Sequence, residues 1–447
     1  MVRRRLSYVP NFLDNHSMKS VTIKPELFVT NRDRLRQKLL TNSLVVVSAN
    51  DVLPTNADGT MEFHQNADLF WLTGINQEET ILVMAPDAFD DKQREILFLR
   101  EASENLVIWE GHKLTKEQAS QVSGIKQVKW LGEFPRTLHK LMCESENVYL
   151  NTNEHGGAPL DFESRELRFA RQCQRQYPLH RYHRLARLMH ELRVAKSTLE
   201  VELIKQACSI TGLGFSRILK FIRPGVNEAE IEAELAHEFI RHKATFAYSP
   251  IIGSGANNCI LHYNQNDQVC KKGDLVLLDV AAGYGQYASD LTRTVPVSGK
   301  FSRRQKQVYN AVLRVFRQTV AEMKPGKLLR DLRKDTESMI EKELLELDLL
   351  KPSDIKKQDK ENPAFKKYFM HGVSHPLGLD VHDVGFASQP IAPGWVLTCE
   401  PAIYIKDEGF GIRLENDILI TADGNIDLME DIPIEAEEIE VLMGGRD

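Results

Sequence analysis

Short apolar runs separated by polar turns dominate the first part of the chain. Residues 44–48, 69–72, 80–84 and 96–99 have the length and composition of buried strands, with Gly59, Gly74 and Pro86 marking turns. Between about 153 and 190 the composition shifts to Arg, His and Gln at helical spacing, which places a domain boundary there. The pattern thus predicts an α/β unit at 1–185 and a second unit at 186–447.

The second unit opens on Ser197-Thr198-Leu199-Glu200, a capping box before a long amphipathic run. That run ends at Pro224-Gly225, and Asn227 with Glu230 at the box position opens another helix. Strands are predicted over 275–280 and 291–297, followed by a second helical pair broken at Pro325-Gly326. A lysine-rich stretch over 351–367 reads as a surface excursion, 395–405 and 411–421 as strands, and 435–441 as a short acidic helix. The unit repeats itself. Gly273 precedes Asp279 by six positions, as Gly394 precedes Glu400, while His262 and His382 precede the same two acids at nearly equal distances. Such a repeat implies two similar halves facing each other across a pseudo-twofold axis.

Composition adds mainly exclusions. The 447 residues are 42% hydrophobic and 27% charged with a formal net charge of -6, so nucleic acid and anionic lipid are not expected partners. No apolar run approaches the ~20 residues of a membrane span. Arg3-Arg4-Arg5 is followed by a short apolar segment broken at Pro10 and Asp14, a poor signal peptide. The six cysteines are scattered without a CxxC pair, as in reduced thiols of a cytoplasmic protein.

Chemistry concentrates on the strands of the second unit. Asp279 and Glu400 each end a hydrophobic strand; Asp290 shares a face with Thr292 and Thr294, and Glu415 with Arg413, because side chains alternate along a strand. A strand-end acid taken alone is usually a cap or a surface ion pair. Four of them buried would cost several kcal/mol each unless neutralised. Arginine or lysine could supply one or two charges; two divalent cations would supply four. A histidine from Met370-His371-Gly372-Val373-Ser374-His375 could complete a site whose oxygen-rich donors suit manganese better than structural zinc.

The motifs Leu275–Asp279, Ser289–Thr294, His371–His375, Val381-His382-Asp383-Val384-Gly385, Leu397–Pro401 and Gly411–Glu415 resemble, in order and spacing, those of the pita-bread metallopeptidases. The first unit, through the stretch Phe63–Gly74, resembles the aminopeptidase P family in particular. The resemblance implies a creatinase-like N-terminal α/β domain followed by a pita-bread catalytic domain. It implies that Asp279 chelates one metal, that His375 and Glu400 hold the other, and that Asp290 and Glu415 bridge the two. His262 and His382 match residues that contact substrate and stabilise the transition state; His371, Tyr404 and Arg413 match supporting positions. Trp109 resembles a residue that reaches a neighbouring subunit's site, so a homo-oligomer, dimer or tetramer, is expected. Pro376 departs from the aromatic or apolar residue that relatives often carry after this histidine.

The implied activity is removal of the first residue from peptides with proline second, by water activated between two metals. Manganese is the first expectation, with cobalt or zinc as alternatives. Glu400 is the candidate proton acceptor. Rival readings are a proline dipeptidase with the same site, a methionine aminopeptidase, a metal-free creatinase-type amidinohydrolase and a non-enzymatic binding module. Retention of all five ligand-type residues argues against the last two.

Overall fold

The computed structural model describes residues 21–101, 103–156 and 162–444, so Arg3-Arg4-Arg5 lies outside the described residues. The N-terminal part is a mixed six-stranded sheet. Its strands are β1 (Ser43–Ser48), β2 (Ile81–Met84), β3 (Glu95–Leu99), β4 (Gln127–Trp130), β5 (Asn147–Leu150) and β6 (Arg181–Arg184), in the order β4-β3-β2-β1-β5-β6. The β1–β2 and β2–β3 pairs are antiparallel and the others parallel. Helices α1 (Pro25–Arg36), α2 (Ala67–Thr73), α3 (Glu104–Glu110), α4 (Lys116–Ser123), α5 (Phe134–Glu144) and α6 (Arg165–Gln176) complete it, and α7 (Leu185–Arg193) packs on it while leading the chain into the second part.

Two expectations are corrected here. Residues 69–72 form part of helix α2, not a strand. Asn66 caps it by accepting from the Leu69 N–H, and left-handed Gly74 closes it on the Phe70 carbonyl. Leu69, Phe70, Trp71 and Leu72 are all buried, so the run carries no polar face from which its period could be read. Residues 181–184 are strand β6, not helix. It is a polar edge strand, without the apolar alternation that announces a half-buried one.

The second part follows the predicted plan. Helix α8 (Thr198–Phe221) and helix α9 (Glu228–Arg241) start with complete capping boxes at Ser197/Glu200 and Asn227/Glu230. After β7 (Thr245–Phe246), strands β8 (Ile251–Ser254), β9 (Leu275–Asp279) and β12 (Thr292–Pro296) form one antiparallel sheet; β10 (Ala282–Tyr284) pairs with β7 on one side and β11 (Tyr287–Ala288) on the other. Helices α10 (Arg303–Glu322), α11 (Leu329–Glu346) and α12 (Pro352–Lys357) lead to β13 (Val396–Cys399), β14 (Ala402–Ile405), β15 (Phe410–Arg413), β16 (Asn416–Ile420), β17 (Asn425–Asp427) and α13 (Ala436–Met443). Both long strands expected near the C-terminus are broken, at 400–401 and 414–415. Each break passes the chain from the β13-β16-β17 sheet to the β14-β15 hairpin, or back.

The internal repeat is visible in backbone hydrogen bonds. Gly225 and Gly326, at φ +93° and +90°, follow their prolines in the left-handed region that glycine tolerates. The Gly225 N–H donates to Cys270 O and the Cys270 N–H to Val226 O; Gly326 pairs with Ile391, and Ile391 with Lys327, in the same way. Each helix pair is thus tied to the segment that leads into the strand delivering an acid.

The two parts are joined by buried polar contacts. Trp71 Nε1 donates to Glu200 Oε1 at 2.9 Å, and the Tyr287 hydroxyl reaches the same oxygen at 3.1 Å. Nearby, Asn66 Nδ2 donates to Glu166 Oε1 at 3.1 Å. Burial, aided by the adjacent Asp68, pushes the Glu166 carboxyl up to about 8. The folded state therefore holds a proton that the unfolded chain releases above its ordinary carboxylate range. Stability from this group is full at low pH and is lost as pH rises from about 5 through 8, on the order of a few kcal/mol across that window. Glu166→Gln keeps the Asn66 contact and removes the titration. Thermal unfolding across pH 5–8 should show a shallower fall for the variant; identical slopes would mean that Glu166 is ionised in the fold.

Candidate active site

The acids meet because strand ends meet. Asp279, the last residue of β9, lies opposite Thr292 of β12, and Thr292 forms a bridge to Glu415 from the other half of the repeat. Glu400 follows β13 and Glu415 precedes β16, whose ends pair through Cys399 and Asn416. The segment bearing His375 runs alongside β13, with the Thr398 N–H donating to His375 O and the Glu400 N–H to Val373 O, both at 3.0 Å. One ligand atom from each of Asp290, His375 and Glu415 lies within 4.8 Å of the others. Asp279 and Glu400 flank this trio.

Acidic side chains outnumber basic ones in this cluster. Among the described residues, Arg413 is the one arginine or lysine bonded to the four acids, through Nη2 to Asp279 Oδ2 at 2.6 Å. Burial, reinforced by the neighbouring acids, raises the Glu415 carboxyl well above its ordinary value. Burial also raises Asp279, against the pull of Arg413, and pushes Glu400 up to about 7. The Tyr248 hydroxyl lies 2.6 Å from Asp279 Oδ1 and 2.7 Å from Asp290 Oδ1. It has one proton and can serve only one of these oxygens, so the other pairing is short of a positive charge.

The histidines divide into two states. His371 Nδ1 donates to Gly372 O at 2.6 Å, and Nε2 accepts from the Tyr404 hydroxyl at 2.9 Å, which in turn accepts from Arg413 Nη1 at 2.7 Å. Burial and Arg413 lower this imidazole to about 3, so it is neutral in that tautomer. His375 Nδ1 is 3.0 Å from Pro376 O, which leaves Nε2 facing Asp290 Oδ2 at 3.5 Å and Glu400 Oε1 at 3.8 Å. Burial opposes its protonation, but Asp290 and Glu400 outweigh burial and raise it to about 9. A neutral imidazole there would aim a lone pair at two carboxylates. A cation or a proton must sit between them, and a backbone carbonyl holding the other ring nitrogen is the usual support of a metal-binding histidine. The donor set therefore fits divalent metal.

His262 and His382 are exposed at the rim. The His382 ring centroid lies 4.3 Å from that of His375, and His262 is close enough for its charge to disfavour protonation of His371 and His382. Of the expected site residues, His382 alone lines the cavity of about 960 Å³ between the two parts of the chain, with Gln286, Asp380 and Val381 on one side and His64 and Asn151 on the other. Trp109 stands apart, 87% exposed on α3 and bonded to none of the cluster.

Three contributors were not anticipated. Tyr248 precedes β8, and its position beside an acid follows only from the pairing of Ile251 with Asp279. Asp417 accepts from the Asp290 N–H at 3.0 Å and from the Cys208 thiol at 3.4 Å, and burial raises its carboxyl well above the ordinary range. Arg193 is taken up below. The cysteines are all free, and five of the six are buried, Cys143 being the exposed one.

Comparison with known proteins gives the same picture. The chain matches the models of metallopeptidase family M24 over residues 202–422 and of the aminopeptidase P N-terminal domain over 28–149. It is 34% identical to an Xaa-Pro aminopeptidase of Escherichia coli over 94% of this chain and 98% of the relative. Its fold is similar to that of zinc-substituted E. coli aminopeptidase P in complex with product, with a TM-score of 0.84 and 32% identity over 95% of this chain and 99% of the other. Proline aminopeptidase P II from Yersinia pestis superposes with a TM-score of 0.83 and 32% identity, over 95% and 100% of the two chains.

If the cluster lacks positive charge, divalent cations must stabilise the folded protein. Manganese at a hundredfold excess over its dissociation constant should add about 2.7 kcal/mol to metal-stripped protein, read as a rise in melting temperature. Glu415→Gln should remove most of that rise. An unshifted melting temperature in the wild type would mean that protons and Arg413 balance the acids unaided.

Proposed function

Because the chain belongs to metallopeptidase family M24 and carries the aminopeptidase P N-terminal domain, we propose that it removes the first residue from peptides whose second residue is proline. The observation that carries this reading is the convergence of Asp290, His375 and Glu415 beside Asp279 and Glu400, with one guanidinium among four carboxylates. Two divalent cations fit this donor set, manganese first and cobalt or zinc next. Asp279 would hold one, His375 and Glu400 the other, and Asp290 and Glu415 both. When bound, such ions polarise the scissile carbonyl and bring the acidity of water near neutrality.

The chain's own residues do the rest. A proline at the second position makes the scissile bond a tertiary amide without an N–H and with φ fixed. A site for it must grip the first residue and the carbonyl rather than that nitrogen's hydrogen. Glu400 takes the proton of the attacking water on its carboxylate and returns it to the departing proline nitrogen. His382 and His262, at the rim, donate to the substrate carbonyl oxygen as negative charge develops on it. The Arg413–Tyr404–His371 chain keeps His371 neutral and its ring fixed, with Nδ1, bonded to Gly372 O, packed 3.5 Å from Glu400 Oε2. Arg413 also fixes Asp279.

A cytoplasmic homo-oligomer is part of the same proposal: exposed Trp109 fits a residue that completes a neighbour's site. No helix among the described residues is long and apolar enough to cross a membrane.

Manganese-loaded protein should release arginine from Arg-Pro-Pro and cleave Gly-Pro far more slowly; the reverse preference would make it a proline dipeptidase. Glu415→Ala should abolish both activity and full metal occupancy, and retention of both would remove Glu415 from the ligand set. His382→Ala should lower kcat about a hundredfold with metal content unchanged, whereas loss of metal would make it a ligand instead.

A further inference from the structure

Resting on that reading, we propose that Arg193 is a positioning residue for His382, and that through Asp68 it makes the catalytic loop depend on docking of the N-terminal domain. Arg193 ends α7 and is buried. Its Nη1 donates to Asp68 Oδ1 at 2.8 Å, and its Nη2 to Asp383 Oδ1 at 2.5 Å and Asp380 Oδ2 at 2.8 Å. Lys196 Nζ reaches the other Asp383 oxygen at 3.1 Å. One guanidinium thus ties helix α2 of the N-terminal domain to both sides of His382 in sequence.

The loop has little freedom to adjust. The Asp383 N–H donates to Pro376 O, the residue after His375, at 2.9 Å, and the Ala288 N–H donates to Gly378 O at 2.8 Å. At Gly378 a Cβ would meet Asp383 Oδ2 at 2.1 Å and Lys196 Cε at 2.9 Å, so the loop closes directly onto the buried ion pair. Between these anchors His382 projects to the rim beside His375. Its place is therefore set from beneath, by Asp383. Asp68 is itself held by Asn151 Nδ2 at 2.7 Å and belongs to the Phe63–Gly74 stretch, which supplies no residue to the acidic cluster. The network gives that stretch a role.

A charge-assisted, buried network loses its geometry when one fork is replaced by a point charge. Arg193→Lys should lower kcat for Arg-Pro-Pro about tenfold to a hundredfold, with KM and metal content little changed. In a His382→Ala background the same substitution should change kcat by no more than about twofold, because the group it positions is gone. Asp68→Asn, which cuts only the arm to the N-terminal domain, should show the same dependence on His382 and serves if Arg193→Lys does not fold. Equal fold-losses with and without His382 would overturn the proposal and leave the network a structural clamp. Diffraction reads the point without activity: in either variant the His382 ring should move from its place beside His375, and an unmoved ring would overturn the proposal. Wild-type protein that cleaves no Xaa-Pro peptide would instead refute the proposed activity, a separate outcome.

Discussion

Four carboxylates, two buried and two half-buried, around the single guanidinium found there among the described residues set the terms for the rest of this molecule. Ionised acids without partners cost several kcal/mol each in such surroundings. Asp279, Asp290, Glu400 and Glu415 nevertheless stand together, with Asp417 behind Asp290. Tyr248 offers one proton to two oxygens, Thr292 spends its hydroxyl on Glu415, and His375 turns its free nitrogen toward the acids. Each of these arrangements is awkward for a protein that carries no cation and natural for one that does.

The repeat explains how the chain assembles such a place. Two helix pairs, each turned at Pro-Gly and tied by matching backbone bonds to the segment before its own acid-bearing strand, deliver Asp279 from one half and Glu400 from the other. The Thr292–Glu415 bridge sews the halves together at the site. Among the described residues, the N-terminal domain adds no acid to the cluster. It contributes the opposite wall of the cavity and, through Asp68, a hold on the loop that carries His382.

Much of this was legible in the sequence, for identifiable reasons. The capping boxes at Ser197 and Asn227 are local chemistry, and both formed as read. Asp279 and Glu400 could be placed at strand ends because the runs before them are apolar. Residues 69–72 misled because a fully buried helix has no polar face; the caps at Asn66 and Gly74 were the better guide. The breaks at 400–401 and 414–415 escaped notice because chain exchange between sheets leaves the apolar pattern intact. Tyr248 and Arg193 acquire meaning only from partners far along the chain, such as Asp279 and Asp383, and no local pattern announces such pairings.

The proposal that these side chains surround a pair of cations can be examined directly by diffraction at the manganese absorption edge, from crystals of manganese-loaded protein. Two anomalous peaks about 3.5–4 Å apart, one beside Asp279 and the other beside His375 and Glu400, are expected. Density without such peaks, with the acids turned instead to protons, arginine or lysine, would contradict the account.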